Sequence, residues 1–191
     1  KNFFGDLYYI EGDYNYGRLK KITEGWRSKV NNYSITLGGG IHIVDLFLFL
    51  KKKRVKEVNT FGNKIVTRNT KTKFKDFVTS NLIFENGVIG KISSNFGCVY
   101  PHFHKLNIYG TKKTFENHFS HEKIFSTRDK IKFKTIKSKY LTKKGEMIET
   151  FIKKLKSNRD KKLMAQEMFD TLCVCYAIEK SLKKNKKIKV K

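Results

Sequence analysis

Ser34-Ile35-Thr36-Leu37-Gly38-Gly39-Gly40-Ile41-His42-Ile43-Val44-Asp45-Leu46-Phe47-Leu48-Phe49-Leu50 joins a glycine triplet to an apolar run of helical length. Consecutive glycines open the backbone to positive φ and let another backbone or a ligand come close. The run carries one imidazole and one carboxylate three residues apart, so a helix over Gly38–Leu50 places both on one face. His42 then sits in the first turn, at the helix mouth, where an imidazole can act as a general base. The alternative is a glycine-rich turn into a core helix, with His42 hydrogen-bonded and inert. Lys51–Lys53 closes the helix with positive charge near its last carbonyls, as the helix dipole prefers.

Upstream, Leu7–Tyr16 is rich in Tyr and Ile and reads as a strand, with Glu11 and Asp13 giving it one polar face. Gly17–Tyr33 reads as irregular. Its Trp26-Arg27 pair either lines a pocket or caps the edge of the core.

Downstream the pattern turns to strands. Val55–Thr67 holds one, interrupted at Gly62-Asn63. Phe77–Phe84 and Val88–Phe96 flank Glu85-Asn86-Gly87, and Asn-Gly between two β-rich runs signals a hairpin. Leu106–Tyr109 and Thr114–Phe119 flank a turn at Gly110-Thr111-Lys112. Ile131–Ile136 alternates apolar and basic residues in the manner of an edge strand. The period then changes. Gly145–Leu155 and Leu163–Leu182 space apolar residues at three to four and read as amphipathic helices. Met168, Leu172, Cys175 and Ile178 form one stripe, expected to be core. Ile188–Val190 reads as a short closing strand, since its residues favour β structure. This order predicts an α+β domain over residues 1–191, a mostly antiparallel open sheet with helices on one face. The uncovered face is expected to carry Tyr, Phe and Ile and to be buried in a homo-oligomer.

A formal net charge of +25 raises the possibility of a nucleic-acid reader. Of 42 basic residues, however, only six are arginines (Arg18, Arg27, Arg54, Arg68, Arg128 and Arg159), and alanine occurs only at Ala165 and Ala177. Lys, Asn, Ile and Phe abound, the residues of AT-rich codons, so a genome-wide bias accounts for the charge. Base readout favours Arg for its bidentate fork. The dispersed lysines are therefore read as solvated surface, and a basic module for nucleic acid or acidic polysaccharide is the second-ranked reading. The apolar run of the helix is too short to span a bilayer. Three cysteines, Cys98, Cys173 and Cys175, offer no zinc-type pairing and point to a reduced, cytoplasmic setting. The chain opens on Lys1 without an initiator Met and is read as a processed product or a fragment.

Chemistry-bearing positions are few. No G-x-G-x-x-G follows a strand and no P-loop is present, so no residue of this chain is expected to bind a nucleotide cofactor. In Tyr100-Pro101-His102-Phe103-His104, two imidazoles at alternate positions point the same way if extended. They suit a sugar or an anionic group, as does Arg27; as a metal pair they lack a third ligand. A loop with two surface histidines is the alternative.

Three stretches in order, Glu11-Gly12-Asp13-Tyr14-Asn15-Tyr16, Gly38-Gly39-Gly40-x-His42-x-x-Asp45-Leu46, and Phe84-Glu85-Asn86-Gly87 through Tyr109-Gly110-Thr111, resemble the C-terminal domain of the Gfo/Idh/MocA oxidoreductases, the glucose-fructose oxidoreductase and inositol dehydrogenase family. The helix from Phe169-Asp170 to Ala177-Ile178-Glu179-Lys180-Ser181 is similar to that family's last helix. The resemblance implies a fold of the glyceraldehyde-3-phosphate-dehydrogenase C-terminal type. It also implies an N-terminal Rossmann domain, absent from this sequence, that holds NAD or NADP. On that basis the chain is the substrate side of an oxidoreductase acting on a hydroxyl or keto group of a sugar, sugar-nucleotide or cyclitol. The family's active-site histidine falls on His42, and Trp26, Arg27, Tyr100, His102 and His104 are the expected substrate contacts. Many members carry an aspartate four residues before the histidine, where this chain has Gly38. Either His42 works with a lysine of the other domain, or another residue stands in for the aspartate, or catalysis has been lost.

Overall fold

The computed structural model describes residues 2–51, 53–128, 132–136 and 146–191. Nine strands form one sheet: β1 (Leu7–Asn15), β2 (Val55–Asn63), β3 (Phe77–Phe84), β4 (Ile89–Asn95), β5 (Phe103–Gly110), β6 (Thr114–Glu116), β7 (Glu122–Phe125), β8 (Phe133–Ile136) and β9 (Ile188–Lys189), in the order β8-β7-β6-β5-β1-β4-β3-β2-β9. Every neighbouring pair is antiparallel except β1 with β4, which run parallel. The helices are α1 (Leu19–Thr23), α2 (Ile41–Lys51), α3 (Glu146–Leu155) and α4 (Asn158–Lys184).

The expected elements form, with three adjustments. Gly17–Tyr33 is not wholly irregular, since α1 and a 3-10 turn at Trp26–Lys29 lie within it. β7 is added between the two expected strands. Ile131 and Gly145, at the starts of two expected elements, lie outside the described residues. The β3–β4 connection is a turn in which the Gly87 amide donates to the Phe84 carbonyl at 3.0 Å, and Gly87 takes φ +80°, which glycine adopts without steric cost.

α2 and α4 lie on the same face of the sheet. α2 packs over β1 and β4, where the bare Gly12 lets Ile43 and Phe47 settle onto the strand. α4 packs over β2 and against α2. The core between them holds Ile10, Val44, Phe47, Val58, Leu82, Phe84, Ile92 and Ile178. The expected core stripe of α4 splits. Cys175 and Ile178 are buried, whereas Met168 is 65 % exposed and Leu172 is also at the surface. The reason is reach: α4 meets the sheet only from Thr171 onward, through Thr171, Val174, Cys175, Ala177, Ile178 and Ser181.

The uncovered face is more polar than expected. Register places four rows across β5, β1, β4 and β3. Tyr109, Tyr9, Ile89 and Ile83 form an apolar row, and Asn107, Glu11, Lys91 and Asn81 a polar row beside it. Within the polar row Asn107 Nδ2 donates to Glu11 at 2.7 Å, and Lys91 Nζ stands 3.7 Å from both Glu11 and Asp13.

Candidate functional site

The site forms where β1 ends, β5 begins and α2 opens. Thr36–Gly40 makes a π-type turn that runs directly into α2. Ser34 organises it. Its carbonyl accepts the Gly38 amide at 2.8 Å, its Oγ accepts the Leu37 amide at 3.0 Å, and the same hydroxyl donates to Glu179 of α4 at 2.7 Å. None of the three glycines takes a positive φ. Gly38 and Gly39 serve close approach instead: a side chain at Gly38 would run into the Tyr33 hydroxyl, and one at Gly39 into the Tyr14 ring.

Tyr14 is therefore the hub. It is only 6 % exposed, and it faces α2 because alternate β1 residues do so. Cross-strand register sets His104 of β5 directly opposite it, with ring centroids 4.7 Å apart. His102, two residues earlier on the same side, meets the Tyr14 ring edge-on at 5.4 Å. His42, second residue of α2, stacks on Tyr14 at 5.9 Å and lies 6.0 Å from His104. His102 and His104 are 5.2 Å apart. Three of the five histidines thus converge on one tyrosine. All three remain exposed, so His42 is not a core histidine.

Electrostatics favour the neutral form of His102 and His104. His104 is held below the usual imidazole range by burial against the rings, then by His102 and His42. His102 is lowered first by burial, then by the nearby Arg18 and by His42, with a backbone contact at Asn15 acting the other way. Burial raises the Tyr14 hydroxyl, opposed by Arg27 and Arg18.

Trp26 and Arg27 join this cluster through a second tyrosine. The Arg27 guanidinium lies 4.6 Å over Trp26 and 5.8 Å from the Tyr16 and Tyr33 rings, and its Nε donates to the Tyr33 hydroxyl at 3.0 Å. Tyr16 in turn meets His102 at 5.3 Å and Tyr14 at 6.1 Å. Tyr100 is not brought in: its ring packs on Phe119 at 5.3 Å. Asp45 also parts from His42, accepting from Thr171 of α4 at 3.4 Å. Tyr14, Tyr16, Tyr33 and Arg18 were missed by sequence reasoning. The alternation of Tyr14 and Tyr16 at the end of a strand is the signal that could have found the first two.

The cluster forms an open shelf and not a closed pocket. Concave regions of about 270 and 790 Å³ lie elsewhere, the first between Tyr33, Phe74 and Leu182, the second between Thr23, Lys29 and Lys71. Among the described residues no group of three His, Cys, Asp or Glu side chains has the arrangement to hold a metal ion. The glycine turn does not offer a phosphate cradle, because the Leu37 and Gly38 amides are already spent on Ser34.

The family model for the GFO/IDH/MocA C-terminal domain matches residues 1–116. The chain belongs to the GFO/IDH/MocA family. The fold recurs in solved structures. An oxidoreductase from Agrobacterium radiobacter in complex with NAD+, L-tartaric acid and magnesium superposes with a TM-score of 0.70 at 13 % identity, over 99 % of this chain and 58 % of that one. Scyllo-inositol dehydrogenase from Lactobacillus casei, with bound NAD(H) and scyllo-inositol, gives 0.70 at 14 % identity, over 99 % and 58 %. A levoglucosan dehydrogenase in complex with NADH and levoglucosan gives 0.73 at 14 % identity, over 100 % and 60 %. The chain therefore spans less than two thirds of the proteins it superposes on. No curated protein matches it by sequence. Among the described residues no helix is long and apolar enough to cross a membrane.

Proposed function

We propose that this chain is the substrate-side domain of an NAD(P)-dependent oxidoreductase acting on a hydroxyl or keto group of a sugar-like molecule. The observation that carries the reading is the convergence of His42, His102 and His104 around buried Tyr14 at the mouth of α2. A bound nicotinamide would accept or give the hydride. The residues here do not fit its phosphates, so its binding is assigned to a domain outside this chain.

The role proposed for this chain is to bind the substrate and to handle its proton. His42, exposed at the shelf, takes the proton of the substrate hydroxyl on a ring nitrogen as oxidation proceeds, or returns it in reduction. A neutral imidazole both donates and accepts, so His102 and His104 can orient neighbouring hydroxyls. The Tyr14 and Tyr16 rings give a sugar's apolar face a surface to lie on, while Trp26 and Arg27 bound the far end. Tyr100 has no role in this reading. The uncovered sheet face is proposed to bury against a second copy, and the three free thiols suit a reducing cytoplasm.

The complete protein is expected to reduce NAD+ or NADP+ in the presence of a sugar, sugar acid, sugar phosphate or cyclitol, read by nicotinamide absorbance. Failure with every member of such a panel, in both reaction directions, would contradict the reading.

A further inference from the structure

Resting on that reading, we propose that the end of the shelf at Tyr16, where Arg18 and Arg27 meet, receives an anionic group carried by the substrate, a carboxylate or a phosphate on a sugar.

Two of the chain's six arginines meet at this one ring, Arg18 at 5.6 Å and Arg27 at 5.8 Å from its centroid. Among the described residues neither guanidinium has a carboxylate partner. Arg54, by contrast, pairs with Asp170 at 3.8 Å. Two unpaired cations beside the same ring repel one another, and an anion between them removes that repulsion. The local geometry is prepared for it. Arg27 is pinned by stacking over Trp26 and by its Nε bond to Tyr33, which leaves the two terminal nitrogens of its fork for a planar, bidentate acceptor. Tyr16 stacks on Tyr14 at 6.1 Å, so the arginine pair adjoins the histidine shelf, and both guanidiniums act on the Tyr14 hydroxyl.

The two guanidiniums are donor-only groups. A neutral polyol would call for carboxylate or amide acceptors at its hydroxyls, whereas this end of the shelf presents guanidinium and phenol groups. Tyr16 touches both Arg18 and His102, so an anion held here places the attached sugar ring toward His102, His104 and His42.

Trp26 is the chain's single tryptophan, is 61 % exposed and carries Arg27 on its face, so it reports directly on this end of the shelf. The 191-residue chain is titrated with glucuronate, glucose 6-phosphate, glucose and myo-inositol at constant ionic strength, reading tryptophan fluorescence. A saturable change is expected with at least one charged sugar and none with the neutral pair over the same range. Which charged sugar responds identifies the anion. Arg18→Gln and Arg27→Gln should each weaken binding about tenfold, the worth of one charged hydrogen bond. Arg54→Ala, with the same loss of charge away from the shelf, should bind as the wild type does. Circular dichroism checks folding, and if Arg27→Gln does not fold, Arg18→Gln decides. The proposal is overturned by equal saturation with glucose or inositol, by no saturation with either charged sugar, or by wild-type affinity in the arginine variants. Preference for a charged sugar together with no nicotinamide turnover by the complete protein on any member of the panel would keep the anion site and remove the oxidoreductase reading. Lost turnover in His42→Ala with no such preference would do the reverse.

Discussion

At Gly38 the chain departs from the aspartate that the family resemblance leads one to expect, and the structure gives a local reason. The Tyr33 hydroxyl, anchored by Arg27, occupies the space a side chain would need. Positive φ is not the constraint there. Gly38→Asp is therefore expected to destabilise by overpacking, by about 1–3 kcal/mol, and to displace Tyr33. Thermal unfolding and tyrosine fluorescence would check this; unchanged stability would mean the turn accommodates the carboxylate. The imidazoles at His102 and His104 give a second expectation. Both are held below their usual range, so between that lowered value and about pH 6.5 the unfolded chain binds more protons than the native one. Stability contributed by the neutral rings is present above pH 6.5 and is lost as pH falls through this window. Wild-type melting temperature should therefore drop more on acidification than that of a His102→Gln/His104→Gln variant, and parallel curves would contradict it. Part of the cluster was legible: helical position put His42 at a helix mouth and the family resemblance singled it out, while strand alternation put His102 and His104 on one side. Tyr14 and Arg18 were not, because long-range packing and not local pattern makes them members of the site.

Among the elements, the π-type turn and α4 are joined by one hydroxyl. Ser34 caps the turn and donates to Glu179 at the same time. Ser34→Ala is expected to cost about 1–2 kcal/mol, as loss of a capping side chain does, measured by urea unfolding. In a double-mutant cycle with Glu179→Ala the losses should fall short of additive, since each removes the same bond; strict additivity would separate the turn from α4. Hairpins and helices were readable from turn residues and period. The exposed start of α4 was not. Its apolar spacing continues N-terminal to Thr171, past the point where the sheet ends beneath it, and no local pattern records where the sheet stops.

For the molecule as a whole, the one parallel pairing, β1 with β4, was hidden from the sequence because residues far apart in the chain make it. That pairing places β1 at the centre, which brings Tyr14 under α2 and sets the apolar row Tyr109, Tyr9, Ile89 and Ile83 across the uncovered face. With Ile89 49 % exposed, that row has the character of a buried sheet–sheet contact. The protein is expected to sediment as a dimer, and Ile89→Lys to shift it to monomer. A wild-type monomer at micromolar concentration would remove the oligomer proposal without touching the site.

Substitution of His42 in the complete protein tests the central claim most directly. His42 is exposed and outside the core, so His42→Ala should leave melting temperature and cofactor affinity unchanged while lowering kcat/KM by about two to four orders of magnitude, the usual worth of a positioned acid–base group. A His42→Ala protein that turns over at the wild-type rate would contradict the assignment of the shelf as the seat of proton transfer.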